Sequence, residues 1–264
     1  METIDWAERW RRLVLDREMA AASNGGHSDP QYWDRRAASF ARSTASRADP
    51  FLDVVAPFVS PRKTLIDVGA GAGRHAAPLA DRLEWVTAVE PSEGMRARIP
   101  HRDNMTIVAS DWADAEVATA DLVISCHVLY GIEDPVPFIT KMERVARERV
   151  FLMLREGDPP HVGAALRLRL QGKPAARQPG FSDLFLLLMQ MGIAPEVTFT
   201  RYHVVNRYAS FEEALEDCRS FIGESWDEER GPAELEGLLT RDGDAFVFDS
   251  GLALSGVAHW QPRA

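Results

Sequence analysis

Three alternating glycines and two acidic residues form a group that could bind a nucleotide-like ligand. A short apolar run ends in the three glycines Gly69, Gly71 and Gly73. Because glycine has no Cβ, such a turn lets a ligand approach the backbone closely. Asp67 lies inside the apolar run, where its carboxylate would repel a pyrophosphate and attract a cation. Glu90 ends the next apolar run, and a carboxylate there can accept hydrogen bonds from both hydroxyls of an adenosine ribose.

The spacing of the glycines differs from the dinucleotide-binding fingerprint Gly-x-Gly-x-x-Gly. In that fingerprint the third glycine allows the helix to pack closely on the strand. Here the third glycine comes one residue early, and Arg74 stands where the fingerprint requires glycine. Arg74 and Asp67 therefore disfavour a nicotinamide cofactor, although Glu90 would also suit the ribose of such a cofactor.

These side chains need a scaffold that brings the ends of several strands together. Five short apolar runs alternate with segments that are compatible with helices. They cover residues 64–69, 85–90, 105–109, 121–126 and 149–154. Apolar strands alternating with helices are typical of a parallel sheet with both faces covered. Because open α/β sheets bind ligands at the carboxyl ends of their strands, the residues that follow these runs are candidates for a site.

Four stretches, in this order, resemble the class I S-adenosylmethionine-dependent methyltransferases. They are residues 65–73, 88–92, 109–112 and 121–129. Within that family the chain is most similar to the branch that acts on small molecules, typified by the quinone-biosynthesis methyltransferases. The resemblance is strong over residues 60–155 and weak in the flanks.

The resemblance implies an α/β fold with a Rossmann-like seven-stranded methyltransferase sheet. The sheet is expected to be mostly parallel with an antiparallel last strand, and to carry a helical N-terminal cap and C-terminal insertions. We expect residues 1–60 to form the cap or lid and residues 61–264 to form the S-adenosylmethionine-binding methyltransferase domain. Within that domain we expect a core over 61–155, a lid loop over 156–180 and an insertion over 206–244.

Local patterns add detail to both ends of the chain. A run rich in Gly, Ser and Asn over residues 23–30 predicts a break between two N-terminal helices. Beyond the core the sequence predicts a helix over 182–192 and a strand over 196–205. A closing β-hairpin is expected to follow, with strands over 245–250 and 252–260. Its turn is predicted at Asp249-Ser-Gly251.

The resemblance also assigns residues to the binding of S-adenosylmethionine. The assigned residues are Tyr32, Arg36, Asp67, Gly69, Ala70, Gly71, Gly73, Glu90, Pro91, Met95, Asp111, Trp112, Cys126 and His127. Asp67 would order the loop near the methionine moiety, and Glu90 would bind the ribose. Asp111 would contact the adenine amino group and Trp112 the adenine ring face. Arg36 would pair with the methionine carboxylate through a charge-assisted hydrogen bond.

Each assignment has a structural alternative. Asp67 could cap the following helix, and Glu90 could be an exposed acid at a strand end. Trp112 could be a core indole. The segment that contains Arg36 could be an ordinary amphipathic helix with buried aromatic side chains. The three glycines could serve only to form a tight turn between strand and helix.

His127 and Tyr130 are the candidates for catalytic residues. A histidine with an ordinary pKa can take a proton near neutrality, which makes His127 a candidate general base. Alternatively, His127 contacts the cofactor or serves packing, and Tyr130 lines the acceptor pocket. A methyl group on a sulfonium is already activated, so alignment and exclusion of water supply most of the catalysis. No cluster of residues with metal-ligand spacing is evident, and we expect no metal.

Composition restricts the partners. The formal net charge is −10, and residues 211–244 hold twelve acidic and three basic residues. Such acidity disfavours nucleic acid, whose binding depends on basic surface, and is typical of solvated helices.

No run is long and apolar enough for a membrane span, and the first 22 residues lack the features of a signal peptide. The chain has two cysteines, so we do not expect a disulfide framework. We expect a cytoplasmic location. The oligomeric state stays open, a homodimer included.

The sequence therefore predicts an S-adenosylmethionine-dependent methyltransferase that acts on a small-molecule acceptor by in-line displacement. Two alternatives stay open. One is a non-catalytic scaffold or regulatory protein that has kept the cofactor fold, and the other is a nicotinamide-dependent oxidoreductase.

Overall fold

The protein is an α/β structure built around one mixed sheet. The computed structural model describes residues 4–22, 32–45, 49–157, 161–172, 174 and 176–263. The strands are β1 (Thr64–Val68), β2 (Trp85–Val89), β3 (Met105–Val108), β4 (Ala120–Cys126), β5 (Ala146–Arg155), β6 (Glu196–Tyr208), β7 (Thr240–Asp242) and β8 (Ala245–Trp260). The helices are α1 (Trp6–Ala22), α2 (Tyr32–Ala45), α3 (Pro50–Val55), α4 (Ala76–Ala80), α5 (Glu93–Arg96), α6 (Pro135–Val145), α7 (Val162–Gln171), α8 (Phe181–Gln190), α9 (Phe211–Ile222) and α10 (Arg230–Glu236).

The strand order is β3-β2-β1-β4-β5-β8-β6, and the short β7 pairs with β8. Strands β1 to β5 pair in parallel with one another, whereas β8 runs antiparallel to both β5 and β6. This confirms the predicted Rossmann-like sheet with an antiparallel last strand, to which β7 adds an eighth short strand.

The apolar runs form strands because both faces of the sheet are covered. Leu65 of β1 packs into a core cluster with α3 and α4 on one face. Its neighbour Ile66 packs into a cluster with α1, α6 and α8 on the other. Phe151 and Leu152 of β5 alternate in the same way. Burial on both faces explains why these strands read as continuous apolar runs rather than as an alternating pattern.

The predicted C-terminal hairpin is wrong. β8 runs without interruption from Ala245 to Trp260 and pairs with β6 on both sides of the expected turn. Gly251, with φ +81°, lies in a bulge, where the register shifts between His203 and Val205 of β6. The turn lies instead at Gly243, between β7 and β8. Asp-Ser-Gly suits a turn and a bulge equally well, and the long partner strand β6 selects the bulge.

A smaller core lies beyond the end of the sheet, where α7, α9 and α10 pack together. Its centre includes Leu166 of α7, Cys218 of α9 and Leu235 of α10, all of which are fully buried. α9 is capped by Ser210, whose side chain accepts a hydrogen bond from the Glu213 N–H. The acidic segment is therefore not merely solvated helix, because one face of α9 is buried in this core.

The N-terminal helices contact different parts of the molecule. α1 is fixed by the Trp10 indole, which donates to the Ile132 carbonyl (2.8 Å), and it packs on α8. α2 packs on α5 and β6. The predicted break over 23–30 lies outside the described residues. No helix in the described ranges combines the length and the hydropathy needed to cross a membrane.

Candidate functional site

The glycine turn after β1 is left-handed at all three glycines. Their φ values are +72° at Gly69, +56° at Gly71 and +79° at Gly73. A Cβ on Gly69 would lie 2.4 Å from a Val128 methyl, and one on Gly73 would lie 2.9 Å from a methyl of Ile99. These two glycines are therefore required by internal packing.

Gly71 differs from the other two glycines because it faces open space. The nearest atom to a Cβ built on Gly71 is a Phe40 ring carbon, 3.8 Å away. The turn itself is held against β2, since the N–H groups of Gly69 and Ala70 both donate to the Val89 carbonyl. The backbone at Gly71 is thus held in place and left open to a ligand, as a cofactor cradle requires.

Glu90, at the end of β2, lies directly beside this cradle. One carboxylate oxygen accepts from the Gly71 N–H (2.8 Å) and the other from the Ser92 N–H (2.9 Å). The side chain is 6 % exposed, and this burial raises the pKa of Glu90. A carboxylate oxygen can accept more than one hydrogen bond, so ribose hydroxyls can add to the two backbone donors. Glu90 is therefore not the exposed strand-end acid of the alternative interpretation.

Asp67 is a buried carboxylate without a normal hydrogen bond. It is 1 % exposed, and neither oxygen has a partner of hydrogen-bond geometry in the part of the chain that is described. Burial raises the pKa of Asp67 to about 6; His75 and the Ala76 N–H lower it in part, and Glu90 raises it further. A buried anion of this kind is costly unless a cation or donor compensates it. It fits a ligand that carries positive charge.

A buried ion pair below the turn was missed from the sequence. His75 Nε2 lies 3.1 Å from Asp49 Oδ2, and Arg74 also pairs with Asp49. Burial alone would lower the pKa of His75, but Cys126 and Asp49 raise it to about 10. Asp49 caps α3 through the Phe51 N–H, so one carboxylate ties α3 to the glycine turn. The Asp-Pro sequence indicates a helix start, but nothing local indicates the pairing with His75.

The two candidate residues after β3, Asp111 and Trp112, differ in exposure. Asp111 is exposed and lies near enough to Glu90 to raise the pKa of that residue. Trp112 is 6 % exposed, and its indole donates to the Phe138 carbonyl at 3.1 Å. The Lys141 ammonium lies over the indole ring. The structure thus places the Trp112 indole in the core, as in the alternative interpretation, and its contact with the adenine face stays a prediction.

At the end of β4, His127 lies between two tyrosine hydroxyls. Nδ1 is 2.9 Å from the Tyr130 hydroxyl, and Nε2 is 2.7 Å from the Tyr202 hydroxyl. The Tyr130 hydroxyl accepts from the Arg155 N–H (2.7 Å), which leaves its own proton for Nδ1. Nε2–H can then donate to Tyr202, which can donate to Ser255 (3.1 Å). The two tyrosines thus orient the His127 ring, and Tyr202 connects it to the buried Ser255 hydroxyl.

His127 also has an unusual backbone conformation. Its φ is +61°, and among the described residues it is the one non-glycine with positive φ. A left-handed conformation costs a residue with a Cβ about 1–2 kcal/mol. The two tyrosine contacts hold the ring in spite of this cost, and such strain is found often at functional sites. Tyr202 was missed because its position, 75 residues further along the chain, carries no local signal.

The remaining assigned residues lie at or near the crevice, with two exceptions. Met95 is buried in α5, Pro91 is exposed beside Glu90, and Cys126 is half-buried at the end of β4. The Tyr32 side chain lies outside the described residues. Arg36 pairs with Asp217 of α9 (Nε–Oδ1 2.8 Å). The structure therefore does not support the predicted contact between Arg36 and a methionine carboxylate.

α2 is nevertheless held against the crevice, by a different residue. Asp34 accepts from the Ser92 hydroxyl (2.6 Å) and from the Gly94 N–H (2.8 Å), both in the loop after Glu90. The backbone of Asp34 lies so close that a Cβ on Gly94 would be 2.9 Å from the Asp34 Cα. With Phe40 facing Gly71, α2 covers one side of the cradle.

Comparisons with known proteins agree with this geometry. Residues 66–154 match the family described as Methyltransferase domain. An uncharacterized protein of Haemophilus influenzae is 28 % identical over 56 % of this chain and 57 % of its own length. Ribosomal RNA small subunit methyltransferase A of Leptothrix cholodnii is 26 % identical over 40 % of this chain and 42 % of its own. The chain thus spans about half the length of the curated relatives it matches.

Solved structures share the fold at low sequence identity. A protein of Anabaena variabilis, assigned to the methyltransferases of an antibiotic biosynthesis pathway, has a TM-score of 0.55 at 16 % identity. That match covers 81 % of this chain and 98 % of the other. The YcgJ protein of Bacillus subtilis has a TM-score of 0.52 at 12 % identity, over 79 % and 96 % of the two chains. Residues 66–154 thus match a methyltransferase domain, and the strand order and the cradle agree with the fold of these solved structures.

Proposed function

We propose that this protein is an S-adenosylmethionine-dependent methyltransferase that acts on a small-molecule acceptor by in-line displacement, in a site where the ends of β4 and β5 meet the middle of β8 and β6. The observation that carries the proposal is the position of His127, held by Tyr130 and Tyr202 at the strand ends next to the cradle. This compact arrangement of buried polar groups suits a ligand that enters the protein. A nucleic acid would instead need a broad basic surface.

Different residues of the cradle would bind different parts of the cofactor. Glu90 would accept the ribose hydroxyls, and the backbone at Gly71 would lie against the adenosine. The unpaired carboxylate of Asp67 would face the positively charged methionine end. When bound, the cofactor supplies an activated methyl group, and the protein contributes alignment and exclusion of water.

Where the acceptor has to lose a proton, His127 would act as general base through the Tyr130 hydroxyl, which would take up that proton and pass its own to Nδ1. The hydrogen bond from the Tyr130 hydroxyl to Nδ1 is matched by one from Nε2–H to Tyr202. A proton taken up by the ring can therefore be shared with Tyr202 and Ser255. Tyr130 would orient the ring, and its burial raises its pKa well above the usual range, which keeps it a neutral donor.

RNA is the second class of acceptor, suggested by the name of the Leptothrix relative. The net charge of −10 disfavours it, because most of the affinity for RNA comes from basic surface. The absence of a nucleic-acid partner and the cytoplasmic location stay predictions from composition.

Calorimetric titration with S-adenosylhomocysteine, S-adenosylmethionine and NADH, side by side, tests the cofactor site. We expect the two adenosyl-sulfur ligands to bind in the micromolar range and NADH not to bind. Binding of NADH alone would instead favour the oxidoreductase alternative. A methyl-transfer assay against small acceptors and against RNA, with product S-adenosylhomocysteine as the readout, then decides the acceptor class.

Glu90→Ala is expected to weaken S-adenosylhomocysteine binding by about 10–100-fold, the range for lost hydrogen bonds to a charged group. Glu90→Gln is the matched variant, since it keeps one acceptor oxygen and should lose less. The thermal midpoint of both variants should be followed, because Glu90 also accepts from two backbone N–H groups. Unchanged affinity in Glu90→Ala would remove Glu90 from the site.

A further inference from the structure

A cavity at the edge of the sheet contains polar groups that the cofactor site does not use. It lies where β5 ends beside β8, and its lining includes Arg155, Glu156, Ser250 and Leu252. Arg155 is linked to the candidate base from two directions. Its backbone N–H donates to Tyr130, and its guanidinium faces the Tyr202 hydroxyl. Both tyrosines contact His127, so the cavity adjoins the place where the acceptor would react.

Two hydrogen-bond donors in this cavity lack partners. Arg155 Nε and Ser250 Oγ are both buried and without a hydrogen bond within the described ranges. No carboxylate of the described residues forms an ion pair with Arg155. Arg155 is half-buried with its Nε fully buried, and a guanidinium removed from water without an anion is unfavourable, since its desolvation is not compensated. An anion in this cavity would therefore supply the acceptor that both donors lack.

The one acidic residue in the lining does not supply that anion. Glu156 accepts a hydrogen bond from the Ser182 N–H at 2.8 Å, in the first turn of α8. Its negative charge is thus directed at a helix N-terminus, where it is stabilised by the helix dipole. A second cation lies near the same tyrosine, because Arg17 of α1 donates to the Tyr130 carbonyl at 3.2 Å. Arg17 also has no ion-pair partner among the described residues.

We propose that the methyl acceptor is a small carboxylic acid whose carboxylate is bound by Arg155 and Ser250, with the reacting atom directed towards His127. The proposal rests on the proposed function, and it specifies the chemical class of the substrate. The carboxylate serves for binding and is not itself methylated, because its oxygens would be occupied by the two donors. Arginine suits this task, since its planar donor group matches a carboxylate.

The test is a titration of the protein saturated with S-adenosylhomocysteine, using matched acids and amides as probes. Benzoate, 4-hydroxybenzoate and succinate are each compared with the corresponding amide, which has a similar shape and no charge. At least one acid is expected to bind about tenfold or more tightly than its amide, as for a hydrogen bond to a charged group. The preference should disappear in Arg155→Gln and should decrease in Ser250→Ala.

Two controls keep the outcomes distinct. Arg62→Gln changes an exposed arginine just before β1, at the end of the sheet where the parallel strands begin, and should keep the preference for acids. Ser250→Ala removes a single hydroxyl and provides the test if Arg155→Gln does not fold. Equal binding of acids and amides, or of neither, while S-adenosylhomocysteine binds normally, overturns this proposal alone. Failure to bind S-adenosylhomocysteine overturns the proposed function and this proposal with it.

Discussion

Asp67→Asn is expected to stabilise the cofactor-free protein and, at the same time, to weaken its binding of S-adenosylmethionine. The Asp67 carboxylate is buried without a normal hydrogen bond, and its pKa is raised to about 6. A shift of about two pKa units from 3.8 corresponds to a cost on the order of 3 kcal/mol when the group is ionised. Asparagine has the same shape without the charge, so it removes this cost together with the attraction for the cationic methionine end.

The stabilisation should depend on pH in a defined direction. Because the pKa of Asp67 is higher in the folded protein than in the unfolded chain, the folded state keeps this proton longer. The cost is therefore absent below about pH 4, increases between pH 4 and 6, and is fully present at pH 7. The difference in unfolding free energy between Asp67→Asn and the unchanged protein should be near zero at pH 4 and largest above pH 6.

Denaturant unfolding at pH 4 and pH 7.5, with calorimetry of S-adenosylhomocysteine at pH 7.5, measures both effects. Affinity should fall at least about tenfold, as for loss of one charged contact. Destabilisation of Asp67→Asn at pH 7.5 would show instead that the carboxylate stabilises the fold, as in the alternative in which Asp67 caps the following helix.

Gly71→Ala is expected to abolish cofactor binding while the protein stays folded. A Cβ at this position meets no atom closer than 3.8 Å, so the methyl group would occupy the cradle rather than disturb the core. The left-handed backbone adds a strain of about 1–2 kcal/mol. Thermal unfolding and S-adenosylhomocysteine titration of the same sample would show a modest loss of stability and a complete loss of binding.

Two other glycines serve as controls for the strain and for the packing. Gly243, with φ +60° and no atom within 4 Å of a built Cβ, has the same backbone strain far from the cradle. Gly243→Ala should therefore lose a similar amount of stability and bind the cofactor normally. Gly69→Ala should be much less stable, because its Cβ would lie 2.4 Å from Val128. Normal binding by Gly71→Ala would show that this turn is not the cradle.

The central sheet could be predicted from the sequence because its signals are local. Strands β1, β2, β4 and β5 each contain a short apolar run, and burial on both faces of a parallel sheet produces that pattern; β3, at the edge of the sheet, also has apolar residues but buries none of them fully. The glycines mark the turn after β1 because the backbone there requires positive φ. The positions of Asp67 and Glu90 beside this turn could be predicted for a similar reason, since each lies at the end of its strand, and their roles stay predictions.

The parts that could not be predicted depend on partners that are distant in sequence. Arg36 was expected at the cofactor, but it meets Asp217, 181 residues further along the chain. Tyr202 and Arg155 reach His127 and Tyr130 from other strands in the same way. The burial of Trp112 could not be predicted, because an indole beside a polar residue suits either a ligand or the core. The Trp112 indole donates to a carbonyl of α6, and that helix lies outside the stretch 109–112 from which the assignment was made.

The position of β8 between β5 and β6 has a consequence for the order in which the protein folds. β6 pairs with β8 along nearly the whole strand and has no other partner in the sheet of the described residues. During synthesis β6 therefore leaves the ribosome before the strand that attaches it to the sheet exists. β1 to β5 can assemble early, but β6 and the small core built on its end must wait for β8. An exposed unpaired strand is prone to aggregation in that interval, so this half of the molecule is where a chaperone would have its largest effect on yield.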